Sequence, residues 1–445
     1  MPQRHHNAVP GHRVWQGIRG TAMKRARAIA IACQGGGIHG AFTCGVLSKI
    51  LEAKEEEERA KPHVGAKRTF EIVGLSGTSA GALNAFMVWY GLMAKDGNPG
   101  SFAEARYAVN KLWDTFQVQK RGEEGMNALA QQFYKLQELG VIIKQPMPAH
   151  FYDWMMSTLS QWSKTETFLA PNLDLGEIRP EFYDFAALLR TCAPEFPHIQ
   201  ARLDQIARDK VKPRLLLGAV EVLSGTFDAF DSWCNPDMRP QDKRTISYEA
   251  VEASGTLPDL RRSQRIPGLK SIDGKDVLYW DGVFSQNPPV REFAASTDSE
   301  HTPDEIWVIR INPQKREEEP LSLGMIEDRR NELSGNLSLN QELRFIQTVN
   351  KWLDWLDRID KSDLANPVLA AFANYKPIKI YVITMHKEKA GLGIGSKFDR
   401  SPEFVTAMRQ HGEERAASFL PLWRSESTDL VEWPQGDALD QIDGG

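Results

Sequence analysis

Two short apolar runs that each end at a cluster of glycines and then give way to a helical pattern do most to limit how this chain can fold. The first is Ala28-Ile29-Ala30-Ile31-Ala32-Cys33, followed by Gln34-Gly35-Gly36-Gly37-Ile38-His39-Gly40. Beyond it Phe42, Val46, Leu47 and Ile50 recur at helical spacing. The second is Phe70 to Leu75, followed by Ser76-Gly77-Thr78-Ser79-Ala80-Gly81 and an apolar helix to about Met93. A strand that is apolar throughout is one buried on both faces, so two such strand-turn-helix units predict an α/β sheet. Further β-branched and aromatic runs at Arg214 to Val222, Val277 to Trp280, Ile306 to Ile311 and Ile378 to Thr384 carry that sheet late into the chain.

Between these runs lie helical patterns. Residues from about 101 to 205 are rich in Gln, Trp, Phe and Tyr and are broken near Pro146, Pro171 and Pro194, which predicts a helical insertion. A later stretch places Val349, Trp352, Leu353, Leu356 and Ile359 on one helix face, the pattern of a packed core helix or of a subunit or membrane contact. The acidic runs Glu55 to Glu58 and Glu317 to Glu319 read as solvated surface.

At 445 residues the chain exceeds the usual single-core size of about 250 to 300, which calls for one large domain with insertions or for two domains. The organisation expected is a basic arm over 1–27, a catalytic domain over 28–311 holding the insertion, and a mainly helical extension over 312–445 that returns a strand at about 378–384. The arm has Arg4, Arg13, Arg19, Lys24, Arg25 and Arg27 with no acidic residue before Glu52. It reads as a frayed terminus, or as an attraction to anionic lipid. It has no apolar core of signal-peptide length. A net charge of -5 gives no electrostatic case for nucleic acid as a partner. Four scattered cysteines, Cys33, Cys44, Cys192 and Cys234, suggest neither a zinc site nor a disulfide framework. A cytoplasmic protein, with at most peripheral contact at the inner membrane surface, fits these features; the oligomeric state is not readable.

The chemistry is concentrated in the turns. Gly77-Thr78-Ser79-Ala80-Gly81 has the Gly-x-Ser-x-Gly pattern that sets a serine on a tight elbow at a helix N-terminus, where its hydroxyl projects. That pattern alone should occur by chance in roughly one chain of this length in seven. The loop Gly35, Gly36, Gly37 and Gly40 is rarer, and its unencumbered N–H groups could face a developing oxyanion. Strand C-termini align at one edge of a parallel sheet, so both turns should meet there. A serine hydroxyl needs a base, and Asp281 in Trp280-Asp281-Gly282-Val283, at the end of an apolar run, is the candidate. Taken singly, an aspartate before glycine is often only a turn former.

Gly-Gly-Gly-x-x-Gly at 35–40, Gly-x-Ser-x-Gly at 77–81 and Asp-Gly at 281–282, in this order, resemble the patatin-like phospholipases from about Ala28 to Thr384. The resemblance implies a three-layer fold with a central, mostly parallel sheet and helices on both faces. It implies hydrolysis of phospholipid or other acyl-lipid esters by a Ser79–Asp281 dyad through an acyl-enzyme. Gly35, Gly36 and Gly37 would line the oxyanion hole with His39 nearby, Gly40, Gly77, Gly81 and Gly282 would support the motifs, and neither metal nor cofactor would be needed. Ala253-Ser254-Gly255-Thr256-Leu257-Pro258 resembles the small-residue and proline segment that precedes the dyad aspartate in that family. Two positions depart from it: His39 stands where Arg or Lys is usual, and Val283 where Gly or Ala is common. Arg329 to Leu343 resembles an extension found in a bacterial branch of the family, and it is assigned no catalytic role.

Three readings compete. Asp281 followed by His301 obeys the Ser, Asp, His order of an α/β-hydrolase triad. Gly35-x-Gly37-x-x-Gly40 also satisfies the fingerprint of a dinucleotide-binding oxidoreductase, although the acid it requires about 20 residues on falls in the Glu55 to Glu58 run. A binding module that keeps the fold without activity is the third.

Overall fold

The computed structural model describes residues 26–60, 68–95, 97–118, 127–128, 131–132, 185–258, 262–271, 273–294, 300–316, 318–321, 323–358, 375–386 and 392–443. The basic arm, most of the expected helical insertion and Ile359 lie outside the described residues.

The two leading strand-turn-helix units form as their sequences dictate. Strand β1 (Arg27–Cys33) runs into the glycine loop, a short 3-10 turn (Gly37–His39) and helix α1 (Gly40–Arg59). Strand β2 (Phe70–Gly77) runs into the Ser79 elbow and helix α2 (Ala80–Leu92), and helix α3 (Phe102–Phe116) packs on it. Strands β3 (Arg214–Glu221) and β4 (Phe227–Asp231), helix α4 (Tyr248–Ser254), and strands β5 (Gln264–Lys270), β6 (Asp276–Asp281) and β7 (Glu305–Arg310) follow. The chain ends with helix α5 (Leu323–Asp357), strand β8 (Lys379–Thr384) and helix α6 (Pro402–Ser425).

The strands make one sheet in the order β5-β6-β3-β2-β1-β7-β8, with β4 also pairing β3. Strands β3, β2, β1, β7 and β8 are parallel, whereas β4, β5 and β6 are antiparallel additions at one side. The sheet is therefore mixed but mostly parallel, with helices on both faces. Alternation along β1 divides its side chains between two cores, because successive residues of a strand point to opposite faces. Ile29, Ile31 and Cys33 join the core under α1, α2, α3 and α6, and Ala30 and Ala32 join Leu339, Leu343 and Ile346 of α5 on the other face.

Some expectations need correcting. The Glu55 to Glu58 run is not all solvated, since α3 and α6 both pack along α1: Glu55 is buried and accepts from Arg106 Nε of α3 at 3.0 Å and Arg59 at 2.7 Å, and Glu57 binds Arg424 of α6 at 3.0 Å. In α5, Val349 and Leu353 are buried but Trp352 is 41% exposed, so the predicted face is only partly core. Strands β4 and β5 were not foreseen, their sequences Phe-Asp-Ala-Phe-Asp and Gln-Arg-Ile-Pro-Gly-Leu-Lys being too polar or too broken to stand out. Among the described residues no helix is long and apolar enough to cross a membrane.

Candidate active site

The elbow is built by what cannot fit in it. Ser79 has φ of 57° and ψ of -128°, a left-handed backbone that non-glycine residues seldom adopt, at the N-terminus of α2. A Cβ at Gly77 would lie 2.2 Å from Gly81 O, and one at Gly81 would lie 2.0 Å from Cys33 O. Both flanking residues must therefore be bare. The same contact draws the elbow against the end of β1, and a Cβ at Gly35 would lie 2.7 Å from Ser79 Cβ. The two glycine turns meet at the C-terminal edge of the parallel strands.

Asp281 reaches that edge by an unforeseen route. Strand β6 is antiparallel to β3, so its C-terminus should lie at the far side of the sheet. However, β6 pairs only with the last turn of β3, Asp281 opposite Ala219, and Leu217 of β3 is level with Gly77 of β2. That register puts Asp281 alongside Ser79. Gly282 is bare for a similar reason, since its Cβ would lie 2.5 Å from Gly218 O and 3.0 Å from Thr78 Cγ2.

Asp281 is fully buried. Its Oδ1 accepts from the Val283 N–H at 2.9 Å, and its Oδ2 lies buried with no hydrogen-bond partner among the described residues. Burial pushes the carboxyl up to about 7, against the pull of the Val283 N–H and of the Ser79 hydroxyl, which is close enough to favour the charged form. The carboxyl is held by loops as well as by β6. The Asp281 N–H donates to Thr256 O at 2.8 Å, and the Ser79 N–H donates to Ser254 O at 3.0 Å. The Ser254 to Leu257 stretch thus contacts the backbone of both residues.

The glycine loop is not uniform. The Gly35 N–H is taken by Asn287 Oδ1 at 2.7 Å, whereas Gly36 and Gly37 have no such partner among the described residues. Gly37, at φ of 63°, has Lys397 O where its Cβ would be, at 2.4 Å. His39 is buried, with its Nε2 2.7 Å from Ser396 Oγ and its ring against Phe404. Ser396, Lys397 and Phe398 belong to a 3-10 turn (Ile394–Phe398) that nothing in the sequence marked as part of the site. Asn287, Asn312 and Asn336 were missed too, although Asn287-Pro288-Pro289 follows Asp281 closely.

Beside Ser79 opens an apolar cavity. Leu83, Trp113, Phe116, Phe185, Val251 and Leu257 line it, together with Gly37 and Lys397. His301 is elsewhere. It packs edge-on against Trp233 just before β7, at the N-terminal edge of the parallel strands, about 20 Å from the active edge for a strand of six residues. Among the described residues no group of three or more His, Cys, Asp or Glu is placed to hold a metal ion.

The fold is thus an α/β one whose mostly parallel sheet gathers a serine elbow, a glycine loop and a buried aspartate at one edge. The family model for patatin-like phospholipases matches residues 31–294, more than half of the chain, and the chain belongs to that family. Lipid acyl hydrolysis is thereby its general activity and lipids its substrates. A search of curated proteins finds no match. Among solved structures the chain is similar to VipD from Legionella pneumophila, at 12% identity over 90% of this chain and 67% of that one, with a TM-score of 0.35. That likeness is too remote to add to the argument.

Proposed function

We propose that the protein cleaves acyl ester bonds of lipids with Ser79 as nucleophile and Asp281 as its base, through an acyl-enzyme and without a histidine. The observation that carries this reading is the buried, unpartnered Oδ2 of Asp281 beside a serine held on a strained elbow. A carboxyl raised to about 7 is a better proton acceptor than an ordinary aspartate and still ionises near neutrality. Asp281 takes the Ser79 proton as Oγ attacks the acyl carbon. Negative charge then develops on the carbonyl oxygen, where the Gly36 and Gly37 N–H groups and the N-terminus of α2 stabilise it. Collapse expels the alcohol, which takes the proton from Asp281, and water repeats the sequence on the acyl-enzyme.

The acyl chain occupies the cavity of Leu83, Trp113 and Phe116, and the protein meets its substrate by peripheral contact with a lipid surface. The triad alternative is disfavoured by the placement of His301 before β7. The nucleotide alternative is disfavoured by Glu55, which lies within α1 and is consumed in ion pairs with Arg59 and with Arg106 of α3, instead of ending a second strand. Incubation with defined phospholipids, neutral glycerides and acyl thioesters, with products identified by mass, tests the proposal. Release of fatty acid from one class, absent in Ser79→Ala, is expected; equal release by Ser79→Ala would refute it.

A further inference from the structure

The donors proposed for the oxyanion need something to aim them, and the glycine loop has no side chains of its own to do so. The answer lies in a buried chain of four carboxamides. Gln34, immediately before Gly35, is fully buried, and its Oε1 accepts from the Ile311 N–H at 3.0 Å and the Asn312 N–H at 2.9 Å. Two backbone donors at one end identify that end as the oxygen. Its Nε2 therefore donates to Asn336 Oδ1, at 3.0 Å. Asn336 Nδ2 in turn donates to Pro313 O at 2.9 Å and Asn312 O at 3.3 Å. Asn287 and Asn312 close on Gly35 itself. Its carbonyl accepts from Asn312 Nδ2 at 3.3 Å and Asn287 Nδ2 at 3.4 Å, and its N–H is held by Asn287 Oδ1 at 2.7 Å.

A peptide unit is planar and trans, so the N–H of Gly36 points opposite to the carbonyl of Gly35. Fixing that carbonyl fixes the direction of the Gly36 donor. Helix α5 bears on this arrangement twice. Asn336 secures the segment that presents Asn312, and Gly335 lets the helix come close, since a Cβ there would lie 2.7 Å from Asn287 Nδ2 and 3.4 Å from Asn312 Nδ2. One turn and more further on, Glu342 of the same helix accepts from Gln286 Nε2 at 3.2 Å and the Arg291 N–H at 3.1 Å, bracing the segment that follows Asp281.

We infer that Gly335 and Asn336 of α5 are positioning residues for the oxyanion donors, acting through Gln34, Asn312 and Asn287. The inference rests on the hydrolytic reading of Ser79. It turns the stretch 329–343, assigned no catalytic role from its residues alone, into a support of the active site. It also accounts for a glycine inside a helix, where alanine is the better helix former.

The test measures kcat and KM on a p-nitrophenyl acyl ester, and Ki for an acyl trifluoromethyl ketone, which adds to the serine and carries an oxyanion. Asn336→Ala and Gly335→Ala are compared with Leu337→Ala, a neighbour that is 58% exposed and outside the network. Asn336→Ala and Gly335→Ala should lower kcat by about 10- to 100-fold with KM within about twofold, and weaken the ketone by the same factor as kcat/KM, because both report transition-state charge. Leu337→Ala should match wild type. Gly335→Ala favours the helix, so it serves where Asn336→Ala fails to fold. If wild type and Ser79→Ala differ as expected but both network variants keep wild-type kcat, or lose only in KM, this inference is wrong and the hydrolytic reading stands. If no ester is cleaved in a Ser79-dependent way, both fall.

Discussion

The N–H of Ser79 is shared between the carbonyl of Ser254, at 3.0 Å, and the hydroxyl of Ser254, at 3.1 Å. The same hydroxyl donates to Gly218 O at 2.6 Å, on the strand that pairs with Asp281. One buried side chain thus joins the backbone of Ser79 to the strand beside Asp281. Ser254→Ala leaves the carbonyl contact and removes the bridge. A buried donor or acceptor left without its partner costs about 1 to 3 kcal/mol, so kcat should fall roughly 10-fold. Ester assays at saturating substrate check this; unchanged kcat would mean that the elbow is held by its glycines alone.

Asp281 should weaken the fold in its charged form. Its folded carboxyl titrates near 7 against an ordinary 3.8, so between those values the folded state holds a proton that the unfolded chain has lost. Stability from this group is therefore present at low pH and is lost as pH rises through that window. Asp281→Asn should be inactive yet melt higher than wild type at pH 8, by about 1 °C for each kcal/mol relieved in a chain of this length, with the difference vanishing near pH 4. Melting curves at the two pH values decide it.

Under the proposed dyad the same group sets the pH response of catalysis. The free enzyme needs Asp281 ionised, so kcat/KM should climb with an apparent pKa of about 7 and level off above it. A profile already flat from pH 5 upward would show that another group takes the proton.

Acyl-chain length should answer to the cavity wall. Leu83 lies along it with Trp113 and Phe116. Leu83→Trp fills that space, and a pocket discriminates by about 10- to 200-fold for one methylene group, so kcat/KM for a laurate ester should fall at least 10-fold. A butyrate ester should be cleaved within about threefold of the wild-type rate. Equal losses for both esters would place the acyl chain elsewhere.

Gly81→Ala should damage the fold before the chemistry. Its Cβ would meet Cys33 O at 2.0 Å and Gln34 O at 2.9 Å, both backbone atoms of the strand end that carries the glycine loop. Forcing an extra carbon into packed backbone typically costs about 1 to 3 kcal/mol, and the variant should melt lower in proportion. An unchanged melting temperature would contradict the close approach of the elbow to β1.

Much of this architecture could be read from residues alone because it rests on local patterns. The apolar runs at Ala28 and Phe70 ended in glycines, and the strands formed at those places. The Ser79 elbow follows from spacing: Gly77 is demanded by a contact with Gly81 four residues on, while the need for Gly81 to be bare comes from Cys33 at the end of β1. What could not be read depends on partners far along the chain. The antiparallel direction of β6 is invisible in Val277 to Trp280, whose apolar character suits either direction, and only its register on Ala219 brings Asp281 to the edge. Asn336 carries no local sign of its bond to Gln34, some 300 residues earlier. Lys397 reaches the site through a turn with no motif, and the acidic run looked solvated because the arginines that bind it, Arg106 of α3 and Arg424 of α6, lie 51 and 367 residues further on. Long-range polar pairs of this kind leave little periodic signature in a sequence.

The direction of β6 has a consequence for how the protein comes to life. Ser79 and Asp281 stand on β2 and β6 with β3 between them, and about 200 residues of chain must be settled before β6 can find its place on β3. Neither residue can meet the other in a half-built sheet. Under the proposed dyad, turnover appears only once β6 has docked on β3, and a chain that stops short of it carries the elbow without its base.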